Sequence, residues 1–385
     1  MKMTRREFLK RGACAAAVTA GGAVAGGAAF LASPQFGRKP NQARIDRMLA
    51  SPNFKDGAFR NYEPLSKGGG PQAKKSSRIK TMWKFLFGDK KAQFPPFALP
   101  CANTDISSID INGEAFVWFG HSTIFLTLGS KRILIDPVFG TYASPVPFIN
   151  RAFPHSRVYT PDDIPEIDLL LISHDHWDHL DYPTLEALRA KVKKVVTPLG
   201  VGEYLEQWGY DGHIISEGDW WDVISPFDGF EITILPARHF SGRLYRPNQT
   251  LWCGFSISAA GRTVVFSGDG GWGEHIKDIA RRIGWPVDLA FLENGQYNAK
   301  WPNCHMHPKE TARAAEVFGA KRVMPIHNSK FALSEHIWNA PLMELAEASI
   351  AKGYELLTPQ IGREVMWSAR DMDREGFDWY FATES

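Results

Sequence analysis

From residue 112 onward the chain alternates short runs of apolar, β-branched and aromatic residues with loops rich in His, Asp and Gly. Such runs predict strands over 115–128, 132–136, 167–173, 194–197, 230–236, 251–260, 263–267, 288–292 and 322–326. Apolar positions three and four apart predict helices over 184–192, 275–283, 308–318 and 342–352. Pro308 suits a first helical turn, where a missing N–H costs nothing. Hairpin-like strands come early and again in the middle, with helices between them. That order predicts an α/β chain of two sheets held between helix layers, an αββα four-layer sandwich, and not a doubly wound parallel sheet.

Before residue 112 the pattern changes. Thr4-Arg5-Arg6-Glu7-Phe8-Leu9-Lys10 is a charged start with paired arginines, and 12–32 carries no charge. That stretch is long enough to span a bilayer, but its Ala and Gly make it weakly apolar. It resembles a twin-arginine translocation signal, which implies export of a folded chain by that machinery, to the periplasm or to a membrane through an uncleaved segment. Ala23-Val24-Ala25 offers a cleavage site and Phe30-Leu31-Ala32 a poorer one. Residues 34–111 lack sustained periodicity and read as an extension. Within it Met82-Trp83-Lys84-Phe85-Leu86-Phe87 mixes bulky apolar and basic side chains; packing on the main domain is the plainer reading, a membrane surface the sharper one. The expected organisation is a signal or anchor over 1–33, an extension over 34–111, a main domain over 112–365 and a tail over 366–385.

Composition narrows the partners. With 44% apolar and 22% charged residues in 385, wholesale disorder and a polytopic membrane protein are both disfavoured. Forty-four basic against forty-two acidic residues leave +2, so no nucleic-acid partner is expected. The four cysteines, Cys14, Cys101, Cys253 and Cys304, lack CxxC spacing and are too few for a disulfide framework.

The densest chemistry lies in Leu171-Ile172-Ser173-His174-Asp175-His176-Trp177-Asp178-His179-Leu180, a strand running into a loop with His174, His176, Asp178 and His179. Histidines at i and i+2 of an extended loop can share one cation, while Asp178 and His179, past a change of direction, can address a second. Further ligands must come from downstream. His239, Asp269 and His327 each close an apolar run, where rigid strand ends can face a common rim. A structural zinc site would be closed by four ligands and favour Cys.

These residues resemble the metallo-β-lactamase fold hydrolases, whose His-x-His-x-Asp-His signature is matched from His174 to His179. Trp118-Phe119-Gly120-His121-Ser122-Thr123, Asp136-Pro137-Val138-Phe139, Asp219-Trp220-Trp221, Ala237-Arg238-His239-Phe240 and Met306-His307-Pro308-Lys309-Glu310 resemble the N-acylphosphatidylethanolamine phospholipase D-like branch. The resemblance implies that His174, His176 and His239 hold one metal, that Asp178, His179 and His327 hold another, and that Asp269 bridges them. Redox di-iron members of the fold usually carry Glu where His176 stands, which disfavours that chemistry. Two Zn²⁺ per chain are the expected cofactors, with Mn or Fe also suited to nitrogen and oxygen donors.

A bridging hydroxide, formed from metal-bound water that ionises near pH ~7, would then attack a phosphodiester of an (N-acyl)phosphatidylethanolamine-like phospholipid. A lactonase acting on a sugar-phosphate or acyl lactone is the alternative within the fold, and a non-catalytic metal-binding envelope protein the alternative outside catalysis. His121 and Asp136 read as groups that orient ligands. His305 and His307 precede a helix whose N-terminus suits an anion; His307 reads as a substrate contact or proton donor, or equally as a helix-start residue. Trp177 and Trp272 read as an apolar wall for a lipid or small-molecule substrate, with core packing as the alternative. Cys304 is not expected to act as a nucleophile, since no base is placed for it.

Overall fold

The computed structural model describes residues 29–66, 90–243, 247–284, 286–370 and 372–381. The paired arginines, residues 82–87 and most of 12–32 lie outside these. The described chain opens with helix α1 (Gln42–Ala50) and a short hairpin, β1 (Phe54–Lys55) and β2 (Ala58–Phe59). Next come β3 (Ala115–Trp118), β4 (Ile124–Leu128), β5 (Lys131–Ile135), β6 (Ile167–Leu171), α2 (Tyr182–Leu188), β7 (Val192–Pro198), α3 (Gly202–Gln207) and β8 (Ile215–Gly218). The second half holds β9 (Val223–Ile224), β10 (Phe230–Leu235), β11 (Gly254–Ala259), β12 (Arg262–Phe266), α4 (Glu274–Ile283), β13 (Leu289–Glu293), α5 (Pro308–Val317), β14 (Arg322–Ile326), α6 (Ala340–Ala348), β15 (Glu355–Leu356) and β16 (Glu364–Met366).

Two seven-stranded sheets result, ordered β16-β3-β4-β5-β6-β7-β8 and β15-β14-β13-β12-β11-β10-β9. Period-two alternation explains why they stack. Along β13, Leu289 and Phe291 face the other sheet while Ala290 and Leu292 face the helices α4 and α5. On the first sheet Leu126 and Leu169 point inward, and Val117, Phe125 and Leu170 point outward onto α2 and α3. The layers are therefore helix, sheet, sheet, helix, as the element order predicts.

The run 115–128 is two strands, because Gly120 and His121 take positive φ (81° and 54°) and turn the chain between them. Helix α1 has little periodic apolar content to announce it. It docks through Arg44, a buried guanidinium whose nitrogens lie 2.6, 3.0 and 2.8 Å from carboxylates of Glu203, Glu206 and Glu217. The segment expected as a tail enters the core instead, where Trp367, Phe377, Trp379 and Tyr380 are all buried.

Strand direction places the site. β5, β6 and β7 run parallel, as do β12, β13 and β14, and β10 is antiparallel to β11, which is antiparallel to β12. The ends of β5, β6, β10, β12, β13 and β14 can therefore meet at one rim.

Candidate metal centre

At that rim the candidate ligands converge in two sets. His176 Nδ1 lies 2.9 Å from His174 Nε2 and 3.1 Å from His239 Nε2. Across from them, Asp178 Oδ2 lies 3.5 Å from His179 Nε2 and 3.3 Å from His327 Nε2. Asp269 Oδ2 stands between the sets, 3.1 Å from His179 and His327 Nε2 and 3.8 Å from His174 and His239 Nε2. The turn that separates the sets is local, since the His176 carbonyl accepts the backbone N–H of His179 and Leu180 at 3.1 and 2.8 Å. Gly268 presents Asp269. Its φ is +61°, and a Cβ there would sit 2.2 Å from the Cys253 carbonyl oxygen.

Four of the histidines have their outer nitrogen engaged, which aims the other one inward. Ser173 Oγ is 2.9 Å from His174 Nδ1, and Asp136 Oδ2 is 2.8 Å from His179 Nδ1. The Cys304 carbonyl is 3.3 Å from His239 Nδ1, and Glu293 Oε1 is 3.1 Å from His327 Nδ1. Asp136 is itself fixed by Ser173, whose N–H and Oγ–H donate to its two oxygens at 2.7 and 2.5 Å. His121 touches Asp178 Oδ2 at 2.8 Å, and burial lowers its pKa to about 3. His121, Asp136 and His327 all hold positive φ (54°, 43° and 67°), a backbone strain that clusters at functional sites.

The charge balance suits cations. Burial, reinforced by neighbouring imidazoles, keeps His174 and His239 well below the usual histidine range, so their lone pairs are free. Burial would raise Asp178 and Asp269, but the surrounding histidines, His179 first, hold both well below the carboxylate range. Burial would lower His179, yet Asp269 and Asp178 raise it well above normal. His179 Nε2 and Asp269 Oδ1 are buried without a hydrogen-bond partner. Orphaned atoms facing a set of nitrogen and oxygen donors are what a bound cation would satisfy, so these residues fit a metal pair.

The centre opens into a cavity of about 440 Å³, lined by His176, Trp177, Asp178, His239, Phe240, Asp269, Trp301, Cys304, His305, His327 and Leu333 among others. Trp177 is on this wall, packed under the Arg243 guanidinium at 3.8 Å from its ring. Trp272 is not. It lies against the core beneath α4 and α5, with the Arg313 guanidinium 4.1 Å from its ring, because its loop turns away after Asp269. His307 also stays out of the site: it is exposed at the start of α5, where its N–H donates to Glu310 Oε2 at 2.9 Å. It starts the helix and does not line the cavity. His305 faces the cavity instead, its Nδ1 held by Glu293 Oε1. Burial would lower its pKa, but Glu293 outweighs that and raises it well above the histidine range.

Glu293, Phe240 and Trp301 are the site residues that sequence reading missed. Glu293 is fully buried and joins three parts of the rim, reaching His305, His327 and the Gly270 N–H at 2.7 Å. Its signal was available: a carboxylate closing an apolar run, as Asp136 and Asp269 do.

Residues 131–328 match the model of the beta-lactamase superfamily domain, just over half of the chain. An uncharacterized protein of Mycobacterium tuberculosis is 34% identical over 82% of this chain and 84% of its own. The N-acyl-phosphatidylethanolamine-hydrolyzing phospholipase D 1 of Caenorhabditis elegans is 32% identical over 60% of this chain and 68% of its own. Outer membrane protein RomA of Klebsiella pneumoniae is 48% identical over 26% of this chain and 75% of its own. Among solved structures, the metallo hydrolase Igni18 of Ignicoccus hospitalis shares the fold at TM-score 0.50 and 20% identity, over 66% of this chain and 98% of that one. With this architecture, the His-x-His-x-Asp-His loop at its rim and these relatives, the chain belongs to the metallo-β-lactamase superfamily of metal-dependent hydrolases, in kinship with the N-acyl-phosphatidylethanolamine-hydrolyzing phospholipases D.

Proposed function

We propose that the protein is an exported dinuclear hydrolase that cleaves a phospholipid phosphodiester in the phospholipase D manner, releasing phosphatidic acid and a headgroup alcohol such as an N-acylethanolamine. The observation that carries this reading is Asp269 Oδ2, placed between two separate sets of donors. His174, His176 and His239 would hold one ion, Asp178, His179 and His327 the other, and Asp269 both. Two zinc ions there would supply Lewis acidity toward a phosphoryl oxygen and activate a water. Asp136 and Glu293 keep His179 and His327 in the orientation that aims Nε2 inward. His305, bound to Glu293 through Nδ1, has Nε2 left to carry a proton to the departing headgroup oxygen. Phe240, Trp177 and Trp301 give the cavity apolar walls that suit acyl chains better than a polar sugar lactone.

Export is supported by the paired arginines and by the RomA relative, whose name places it in an outer membrane. No helix among the described residues is long and apolar enough to cross a membrane. The test is metal content of the folded protein together with turnover of a bis(p-nitrophenyl) phosphate-type diester beside a lactone. About two metals per chain with diester turnover is the expected result. Lactone turnover alone would move the reading to a lactonase, and neither metal nor turnover would leave a non-catalytic protein.

A further inference from the structure

One loop displays apolar surface where most of the chain hides it. Pro145, Val146, Pro147, Phe148 and Ile149 follow one another without a polar side chain, and none is buried. Phe148 at the tip is 82% exposed with φ 69°. The loop is held at its base, where Tyr142 bridges Arg151 and the Ala143 N–H donates to the Asn150 carbonyl at 3.0 Å. It is also a shared wall. Ala143 and Asn150 line the metal cavity, whereas Pro145 and Pro147 line a neighbouring cavity of about 520 Å³, and Trp177 belongs to both.

The N-terminal arm reaches the same face. Gln35 Nε2 donates to the Pro145 carbonyl at 3.3 Å, and the Phe36 ring meets Trp177 edge-on at 5.3 Å. Phe30, 5.1 Å from the Phe36 ring, and Leu31 are 38% and 37% exposed. They are part of the described end of the uncharged stretch 12–32, and it is this end that lies on the face carrying Phe148. Arg151 beside the tip is exposed and has no ion-pair partner among the described residues.

We propose that this face docks on a lipid surface, with Phe148 entering the headgroup boundary and Arg151 meeting phosphates, so that the metal cavity opens toward the membrane. A short tip and two neighbouring side chains fall well short of the ~800 Å² per side that a stable protein interface buries. A lipid interface asks for less, because one modest apolar element suffices when a second signal, here the uncharged stretch, shares the load. Aromatic rings favour that boundary. The use of the cavity rests on the phospholipid reading above; the docking itself is measurable without turnover.

The experiment uses the full chain loaded with zinc and vesicles of phosphatidylethanolamine and phosphatidylglycerol. An environment-sensitive fluorophore is placed at Phe148→Cys and, as control, at Asp228→Cys in the β9–β10 turn, both in a background with Cys14→Ser and Cys101→Ser. β10 runs from that turn toward His239, so the control sits at the end of the sandwich away from the rim. Vesicles should shift the emission at 148 to the blue and expose it to a lipid-borne quencher, leaving 228 unmoved. Phe148→Asp should lower turnover of vesicle-borne substrate at least tenfold and leave a soluble diester unaffected. No shift at 148, or equal shifts at both positions, with soluble-diester turnover intact, overturns the docking and leaves the hydrolase reading standing. A shift at 148 without diester turnover supports the docking and removes the phosphodiesterase reading. A shift that follows protein concentration without lipid assigns the loop to a protein contact and overturns the proposal.

Discussion

Asp269 and Asp136 look alike in sequence, each an aspartate closing an apolar run, yet they do different work. Asp269 faces both donor sets, whereas Asp136 faces only the outer nitrogen of His179. Asp269→Ala should therefore empty both positions, taking metal content below one per chain and diester turnover down by at least a thousandfold. Asp136→Asn should keep the fold but release the tautomer of His179, weakening metal affinity or activity roughly 10- to 100-fold. Competition with a calibrated chelator measures both. His305 and His307 separate in the same way. His305→Ala should cost roughly 10²–10⁴-fold in kcat and remove one limb of its pH profile. His307→Ala should leave kcat unchanged and cost at most about 1 kcal/mol of stability by urea titration. The spacing of the metal loop made its residues legible, because four donors within six positions have few other uses. Glu293, which closes the apolar run of β13 as Asp136 and Asp269 close theirs, was legible on the same ground and overlooked; the exclusion of Trp272 was not legible, since it depends on where a loop turns after its strand ends.

At the scale of elements, strands were easier to read than helices. The buried strands are continuous apolar runs, so they stand out. Helix α1 buries only Arg44 and Met48, so its attachment rests on charge and leaves no apolar stripe to find. Burial would lower the Arg44 pKa, but the carboxylates of Glu206, Glu217 and Glu203 outweigh it and raise it above its ordinary value. Arg44→Ala leaves Glu203 and Glu217 buried without that partner and should cost about 3–5 kcal/mol in chemical denaturation. The segment after β14 carries a second such group. Lys330 is buried, donates to the Phe119 and Val138 carbonyls at 3.0 and 2.7 Å, and burial lowers its pKa to about 7. Between pH 7 and its ordinary 10.5 the unfolded chain holds a proton there that the folded chain has shed. Stability should then rise with pH through that window and level off below it, where both states are protonated. Lys330→Met should flatten the rise in urea titrations run from pH 7 to 10.

For the whole molecule, the two sheets are stitched together along a wide apolar interface but meet at the rim through charges. His174, His176, Asp178 and His179 follow β6 of one sheet, while His239, Asp269 and His327 follow strands of the other. A metal pair held there would cross-link the halves of the sandwich, so its removal should act on the fold as well as on turnover. Each ion held at a hundredfold excess over its dissociation constant contributes about 2.7 kcal/mol to the folded state. Chelation should therefore lower Tm by several degrees in calorimetry, and Asp269→Ala protein should show almost no such drop. Uptake should also release protons. His174 and His239 are already neutral, but His179, raised well above the histidine range by Asp269 and Asp178, must give up its Nε2 proton to accept a cation. Metal affinity should consequently climb with pH, and proton release on zinc binding, read from calorimetry in buffers of different ionisation enthalpy, should approach one per chain from this residue. Affinity that ignores pH would mean that His179 is not a ligand, and the division of the donors into two sets would have to be redrawn.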